Sequence, residues 1–202
     1  NTAYGTYDGD NGTYGLYKGN FEYASVLDAV NNYAPTFYYS DGYFDSDPKK
    51  YNSHLATMSL SLAMSAFVKN TENEDKYFNQ FAHVKQLMSD IGCADEDIYV
   101  NDDYLNKPAF FGKNADRLST IGVAIGSKKL KIADTEYTLI PVAVRGAGYE
   151  IEWASNSTLG ASGEAKGFSD AATQTFHLVE KYIADYGLQE AYRILEAAKK
   201  DP

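Results

Sequence analysis

Cysteine is nearly missing from this chain. Of 202 residues only Cys93 is one, so no internal disulfide can form and the redox compartment is not fixed by thiol usage. Cys93 follows Gly92 at an expected helix end and reads as a packed thiol, with a nucleophile as the other reading. Positive charge is also scarce. Lys and Arg number 18 against 28 Asp and Glu, giving a net charge of −10, which disfavours nucleic acid and anionic membrane surfaces because both select clustered cations. The start of the chain has no basic segment followed by an apolar core, so no signal peptide is legible there. The longest stretch without Asp, Glu, Lys or Arg, Tyr51 to Val68, contains Asn52, His54, Thr57 and four serines. That content favours a helix buried on more than one face over a membrane span.

What is present is apolar and aromatic. Hydrophobic residues make up 44% of the chain, enough for a sizeable core in a single domain over 1–202, and 18 residues are Tyr. Residues 1–34 hold Tyr4-Gly5-Thr6-Tyr7 and Tyr14-Gly15-Leu16-Tyr17 around Asp8-Gly9-Asp10-Asn11-Gly12, the pattern of a hairpin. The acidic turn invites a calcium reading. Counted from Asp8, however, the sixth and twelfth positions of an EF-hand loop are Thr13 and Gly19 instead of Gly and Glu, so a solvated turn is expected and no metal or cofactor is assigned. Tyrosines exposed in this region could instead stack on sugar rings, which keeps a binding-module reading open.

Phe37 to Tyr39 reads as a strand, and Asp47-Pro48 as the start of the first of two helices spanning 47–92. The second opens on a capping box at Thr71-Glu72-Asn73-Glu74. It carries Tyr77, Phe78, Phe81, Val84, Leu87, Met88 and Ile91 as one stripe. Asp95 to Asp103 reads as an acidic loop. Leu118 to Ile125, Lys128 to Ile132 and Tyr137 to Val144 read as strands joined by hairpins. The last of these is uncharged and rich in β-branched residues, as expected of a strand buried on both faces of a parallel or mixed sheet, although Pro141 withholds one ladder donor. It ends at Arg145-Gly146-Ala147-Gly148, where outward backbone N–H groups could meet a ligand or simply form a tight turn. Beyond a Ser/Gly-rich loop, a helix should bury Phe168, Ala172, Phe176, Val179 and Ile183 and expose Asp170, Gln174, His177 and Lys181. A further helix is expected from Leu188 to Lys199.

Several short motifs in this order resemble the lipase class 3 branch of the α/β-hydrolases, and most of all its Tyr-rich bacterial lipase-like group. They are Tyr38-Tyr39-Ser40-Asp41-Gly42-Tyr43-Phe44, Tyr51-Asn52, Leu55-Ala56-Thr57-Met58-Ser59-Leu60, Arg145-Gly146, Glu152-Trp153-Ala154-Ser155-Asn156 and Lys166-Gly167-Phe168. The resemblance implies an α/β fold: the N-terminal part of an α/β-hydrolase-like sheet, with added N-terminal helices and the start of the hydrolase core at 115–202. It implies a serine hydrolase of carboxylic esters or lipids, secreted or at the cell surface. Gly146 and Ala147 would form the oxyanion turn, and a Ser, an acid and a His would come from a C-terminal half or a second chain. The chain departs from the family where Ala147 replaces a Ser or Thr and Ala165 replaces a His. G-x-S-x-G is absent, its nearest approach being Gly160-Ala161-Ser162-Gly163-Glu164. His54, His83 and His177 all fall in expected helices, so none is assigned as the base. The isolated chain is expected to be inactive.

Overall fold

A computed structural model describes residues 3–20, 23–24, 32–66, 75–102, 122–144 and 166–188. The N-terminal hairpin forms as its sequence implies. Strand β1 (Gly5–Asp8) pairs antiparallel with β2 (Thr13–Asn20), and β2 pairs with β5 (Thr36–Tyr39) across Tyr17↔Tyr39 and Gly19↔Phe37. Two short strands, β3 (Tyr23–Ala24) and β4 (Asn32–Tyr33), make a separate ladder.

The first helix, α1 (Ser53–Ser65), starts later than Asp47-Pro48 suggests. Asp47 instead closes a turn, its carboxylate accepting from Lys49 N–H at 3.0 Å and its carbonyl from Lys50 N–H at 2.9 Å. Asn52 is the actual cap. Its Oδ1 accepts from the N–H groups of His54 and Leu55, satisfying two of the donors that a helix start leaves free. Burial on more than one face is met only in its last turn, where Ser61, Leu62 and Ser65 are buried and Ala63 and Met64 half-buried; earlier in the helix burial is one-sided, and Leu60 is 62% exposed.

Helix α2 (Asp75–Asp90) follows, and Val84, Leu87 and Met88, with Ile91 just beyond its end, are buried as the stripe requires. Each such side chain contributes roughly 2 kcal/mol of hydrophobic stabilisation. The capping box and the side chains of Tyr77, Phe78 and Phe81 lie outside the described residues. The expected acidic loop is only half a loop: Asp95–Asp97 is a 3-10 turn, but β6 (Tyr99–Asp102) is a strand, since Tyr99 and Val100 supply residues that pair well on a pleated surface.

The strand expected from Tyr137 to Val144 is two strands. β7 (Gly122–Ile125) lies between β6 and β10 (Val142–Val144), both antiparallel to it, while β8 (Lys128–Ile132) pairs with β9 (Thr135–Leu139). Stepping three residues along each chain from the pair Ile125↔Val142 reaches the pair Lys128↔Leu139. The four strands are therefore one long hairpin in unbroken register, interrupted at Gly126-Ser127 and Ile140-Pro141. Pro141 lacks the N–H needed there, yet its carbonyl still accepts from Gly126 N–H at 3.0 Å. Burial on both faces fails for β9, which is exposed along most of its length, but holds from Leu139 to Ala143, where Leu139 and Ala143 pack into one core and Ile140 and Val142 into the other. Tyr137 is 51% exposed, and β10 is at the margin of its described sheet.

Every strand pair described is antiparallel. The chain combines helices with small antiparallel sheets. One core joins Phe37 and Tyr39 of β5, Leu62 of α1, Val84, Leu87 and Met88 of α2, Ala124 of β7 and Ala143 of β10. A second forms where α3 (Lys166–Asp185) lies on β7, with Tyr182 against Val123 and Ile125. The buried face of α3 is rotated from the expected one. Ala171, Leu178, Val179, Tyr182 and Ile183 face the protein, whereas Phe176 is 42% exposed and Ala172 is exposed. His177 is exposed as expected, 3.4 Å from Glu180. The side chains of Phe168 and Asp170 and the helix expected beyond Leu188 lie outside the described residues.

Candidate functional site

The motif Ser40-Asp41-Gly42-Tyr43-Phe44 folds into a 3-10 turn, Asp41–Phe44, capped by Ser40, whose Oγ accepts from Gly42 N–H at 3.2 Å. Gly42 is required by close approach, because a Cβ there would lie 2.5 Å from the Tyr14 ring. The turn and its C-cap carry two carboxylates, each with its own set of partners.

Asp41 meets Lys128. The Lys128 ammonium donates to Asp41 Oδ1 at 2.7 Å, to the Ile91 carbonyl at 2.9 Å and to the Tyr39 hydroxyl at 3.4 Å, and lies 4.8 Å from the centre of the Tyr39 ring. Tyr39 in turn donates to Asp41 at 2.6 Å. Burial, then the Asp41 carboxylate, holds the Tyr39 hydroxyl far above the ordinary range of a phenol, so it stays protonated. Cys93 is packed nearby with Gly126 against its sulfur. Its thiol is pushed up to about 11, chiefly by burial, with Lys128 lowering it and Asp97 raising it. A packed thiol is the correct reading of that residue.

Asp45 faces the N-terminal hairpin. Its oxygens accept from Asn11 N–H at 2.7 Å, Asn11 Nδ2 at 2.6 Å and Tyr14 Oη at 2.8 Å, and its carbonyl accepts from Asp10 N–H at 3.0 Å. Burial works to raise its pKa, but the Asn11 and Tyr14 donors outweigh that and hold the carboxyl below the ordinary 3.8. The turn Asp8 to Gly12 is therefore a cap over Asp45. Among the described residues no group of three or more His, Cys, Asp or Glu could hold a metal ion.

A groove of about 580 Å³ opens beside Asp45. The 44–48 segment forms one wall, the β8–β9 hairpin the other, and Asp10 and Asn11 close one end. Alternation creates the second wall: Leu130 and Ile132 face inward between the outward Lys129 and Lys131, and Tyr137 pairs opposite Leu130. Sequence reasoning missed this groove. Its signal was the alternating Lys128 to Ile132, whose apolar face had no assigned partner.

On the outer side of the N-terminal sheet, Tyr4 and Tyr38 are 64% and 42% exposed with ring centres 5.7 Å apart, and the Lys18 ammonium lies 5.6 Å from the Tyr4 ring. His54 is stacked on Tyr43 at 4.8 Å and meets Tyr7 edge-on at 5.4 Å, an arrangement of packed rings instead of a base facing a nucleophile. The sequence-assigned site residues Gly146 and Ala147 lie outside the described residues. The structure follows β10 to Val144, 41% exposed, immediately before Arg145-Gly146 in the sequence. No protein-family model, curated protein or solved structure matches this chain.

Proposed function

We propose that the chain is the front portion of a lipase-like or esterase-like serine hydrolase acting on carboxylic esters. In this reading Gly146 and Ala147 supply the oxyanion turn, and a C-terminal half or second chain supplies Ser, acid and His. The supporting observation is the layout of β10 and α3. β10 has β7 on one side and no partner on the other among the described residues, and the long helix that follows it packs back onto β7. A strand followed by a helix that returns over the same sheet is placed to deliver a parallel strand, and right-handed crossovers dominate such units. Such a strand beside β10 would convert a marginal strand into an internal one and bring the Arg145-Gly146 turn to an open sheet end. Without it, β10 remains an edge strand, and the hydrolase reading fails.

Sequencing the gene beyond Pro202 tests this directly. We expect a β-branched run followed by G-x-S-x-G, and a serine-directed phosphonate should label the natural full-length product. An immediate stop codon, with no second chain copurifying and no labelling, would overturn the proposal.

A second reading, a non-catalytic surface module that binds carbohydrate, is favoured by the exposed Tyr4–Tyr38 pair, whose rings meet at 50°, since tyrosine faces stack on sugar rings. Glycan binding that quenches tyrosine fluorescence and is lost in Tyr4→Ala with Tyr38→Ala is its expected result. A blank glycan panel counts against it.

A further inference from the structure

We propose that the groove between the 44–48 segment and the β8–β9 hairpin binds a small cationic amphiphile, an alkyl or aryl group carrying one ammonium. The groove's 580 Å³ falls within the range of small-molecule sites, which are mostly apolar with a few placed polar groups. Leu130, Ile132 and Leu139 offer the apolar wall, with Tyr137 half-exposed at its side.

Charge lies on the facing wall and at the end that the N-terminal turn closes. Asp10, Asp45 and Asp47 line the groove, and among the described residues no Lys or Arg does. Asp45 is saturated by Asn11 and Tyr14, so the groups left to meet a ligand are Asp10, which is exposed, and the second oxygen of Asp47, whose first accepts from Lys49 N–H. An anion would face these carboxylates without a cation to pair with, and a neutral headgroup would gain nothing from their charge. The Tyr137 ring adds a face on which an ammonium can rest. The site uses none of the residues of the oxyanion turn, so the proposal stands independently of the hydrolase reading.

Calorimetric titration of the protein with octyltrimethylammonium, below its micelle concentration, provides the test, with octyl sulfate and octyl glucoside as matched chains. We expect one equivalent of the ammonium to bind, at least tenfold tighter than either comparison ligand. Asp10→Asn with Asp47→Asn should weaken it at least fivefold at low salt while leaving the melting temperature unchanged, because the amide oxygen introduced at position 47 still accepts from Lys49 N–H. Leu139→Ser should weaken all three ligands. Equal binding of the glucoside or sulfate, no ammonium binding at millimolar concentration, or indifference to the double substitution would each overturn the assignment. Sedimentation run alongside identifies a second copy as occupant: a dimer dispersed by the ammonium would make the groove a self-interface and equally overturn it.

Discussion

A carboxylate only 2% exposed is costly unless donors saturate it, and Asp45 is held by three. Its folded pKa is depressed, so the unfolded chain takes up a proton first as pH falls. The stability it contributes is complete above the ordinary 3.8 and is lost as pH drops through the lower folded value. Asp45→Asn removes the charge and turns an amide NH₂ toward Asn11 or Tyr14. We expect it to lower the thermal midpoint near neutral pH, with the deficit narrowing as pH falls below the ordinary 3.8 and the parent protein loses its own advantage. A deficit unchanged by pH in parallel melts would show that the charge contributes nothing. Cys93 gives an independent prediction at the same scale. With its thiol pushed up to about 11 and its sulfur 3.0 Å from where a Gly126 Cβ would lie, iodoacetamide near pH 8 should label it only in denaturant. Stoichiometric labelling of the native protein within minutes would contradict that packing.

Among the elements, the hairpin from Gly122 to Val144 carries the clearest strain. Ala133 sits at φ 49° in the two-residue turn between β8 and β9, a backbone region that costs an L-residue with a Cβ roughly 1 kcal/mol. Ala133→Gly keeps the N–H that donates to Tyr14 Oη, so we expect urea unfolding to report a gain of about 0.5–1 kcal/mol. A loss would mean that the flexibility given to the unfolded chain outweighs the relief. This hairpin also shows what the sequence could convey. Alternation made Lys128 to Ile132 legible as a strand, and the spacing of Val84, Leu87, Met88 and Ile91 made α2 legible. The uninterrupted apolar run Tyr137 to Val144 misled because a local run does not reveal its partners. β9 uses its residues against β8 in solvent, β10 uses its own against β7, and Pro141 marks the division. The face of α3 was misjudged for a similar reason. Tyr182 has an apolar ring and a hydroxyl that finds the Asp97 carbonyl at 2.5 Å and Ser127 Oγ at 2.9 Å, so a residue left out of the apolar count became the anchor of that helix. The groove was invisible because its two walls are more than eighty residues apart in the chain.

For the whole molecule the decisive contact is Lys128, because it ties together three parts that are distant in sequence: Asp41 after the first sheet, Ile91 at the end of α2, and its own hairpin. Gly92, at φ 105°, lets the chain reverse so that Ile91 can present its carbonyl, and a Cβ there would lie 3.1 Å from the Lys128 ammonium. The pair is only partly dry, with side-chain exposures of 12% and 28%, so it should contribute less than a fully buried ion pair. Its removal still takes the counter-charge from Asp41, leaving it only the Tyr39 hydroxyl, and takes a donor from the Ile91 carbonyl in a crowded place. We expect Lys128→Met, which retains most of the apolar stem, to cost about 2–3 kcal/mol in urea unfolding. Because the main core draws on β5, α1, α2, β7 and β10 together, that loss should appear as a single shifted transition. Far-UV circular dichroism, tyrosine emission and Cys93 labelling should move to the same lower midpoint. Separation of the labelling curve from the other two would mean that the hairpin detaches from α2 before the rest unfolds, and that Lys128 holds an interface between two folding units.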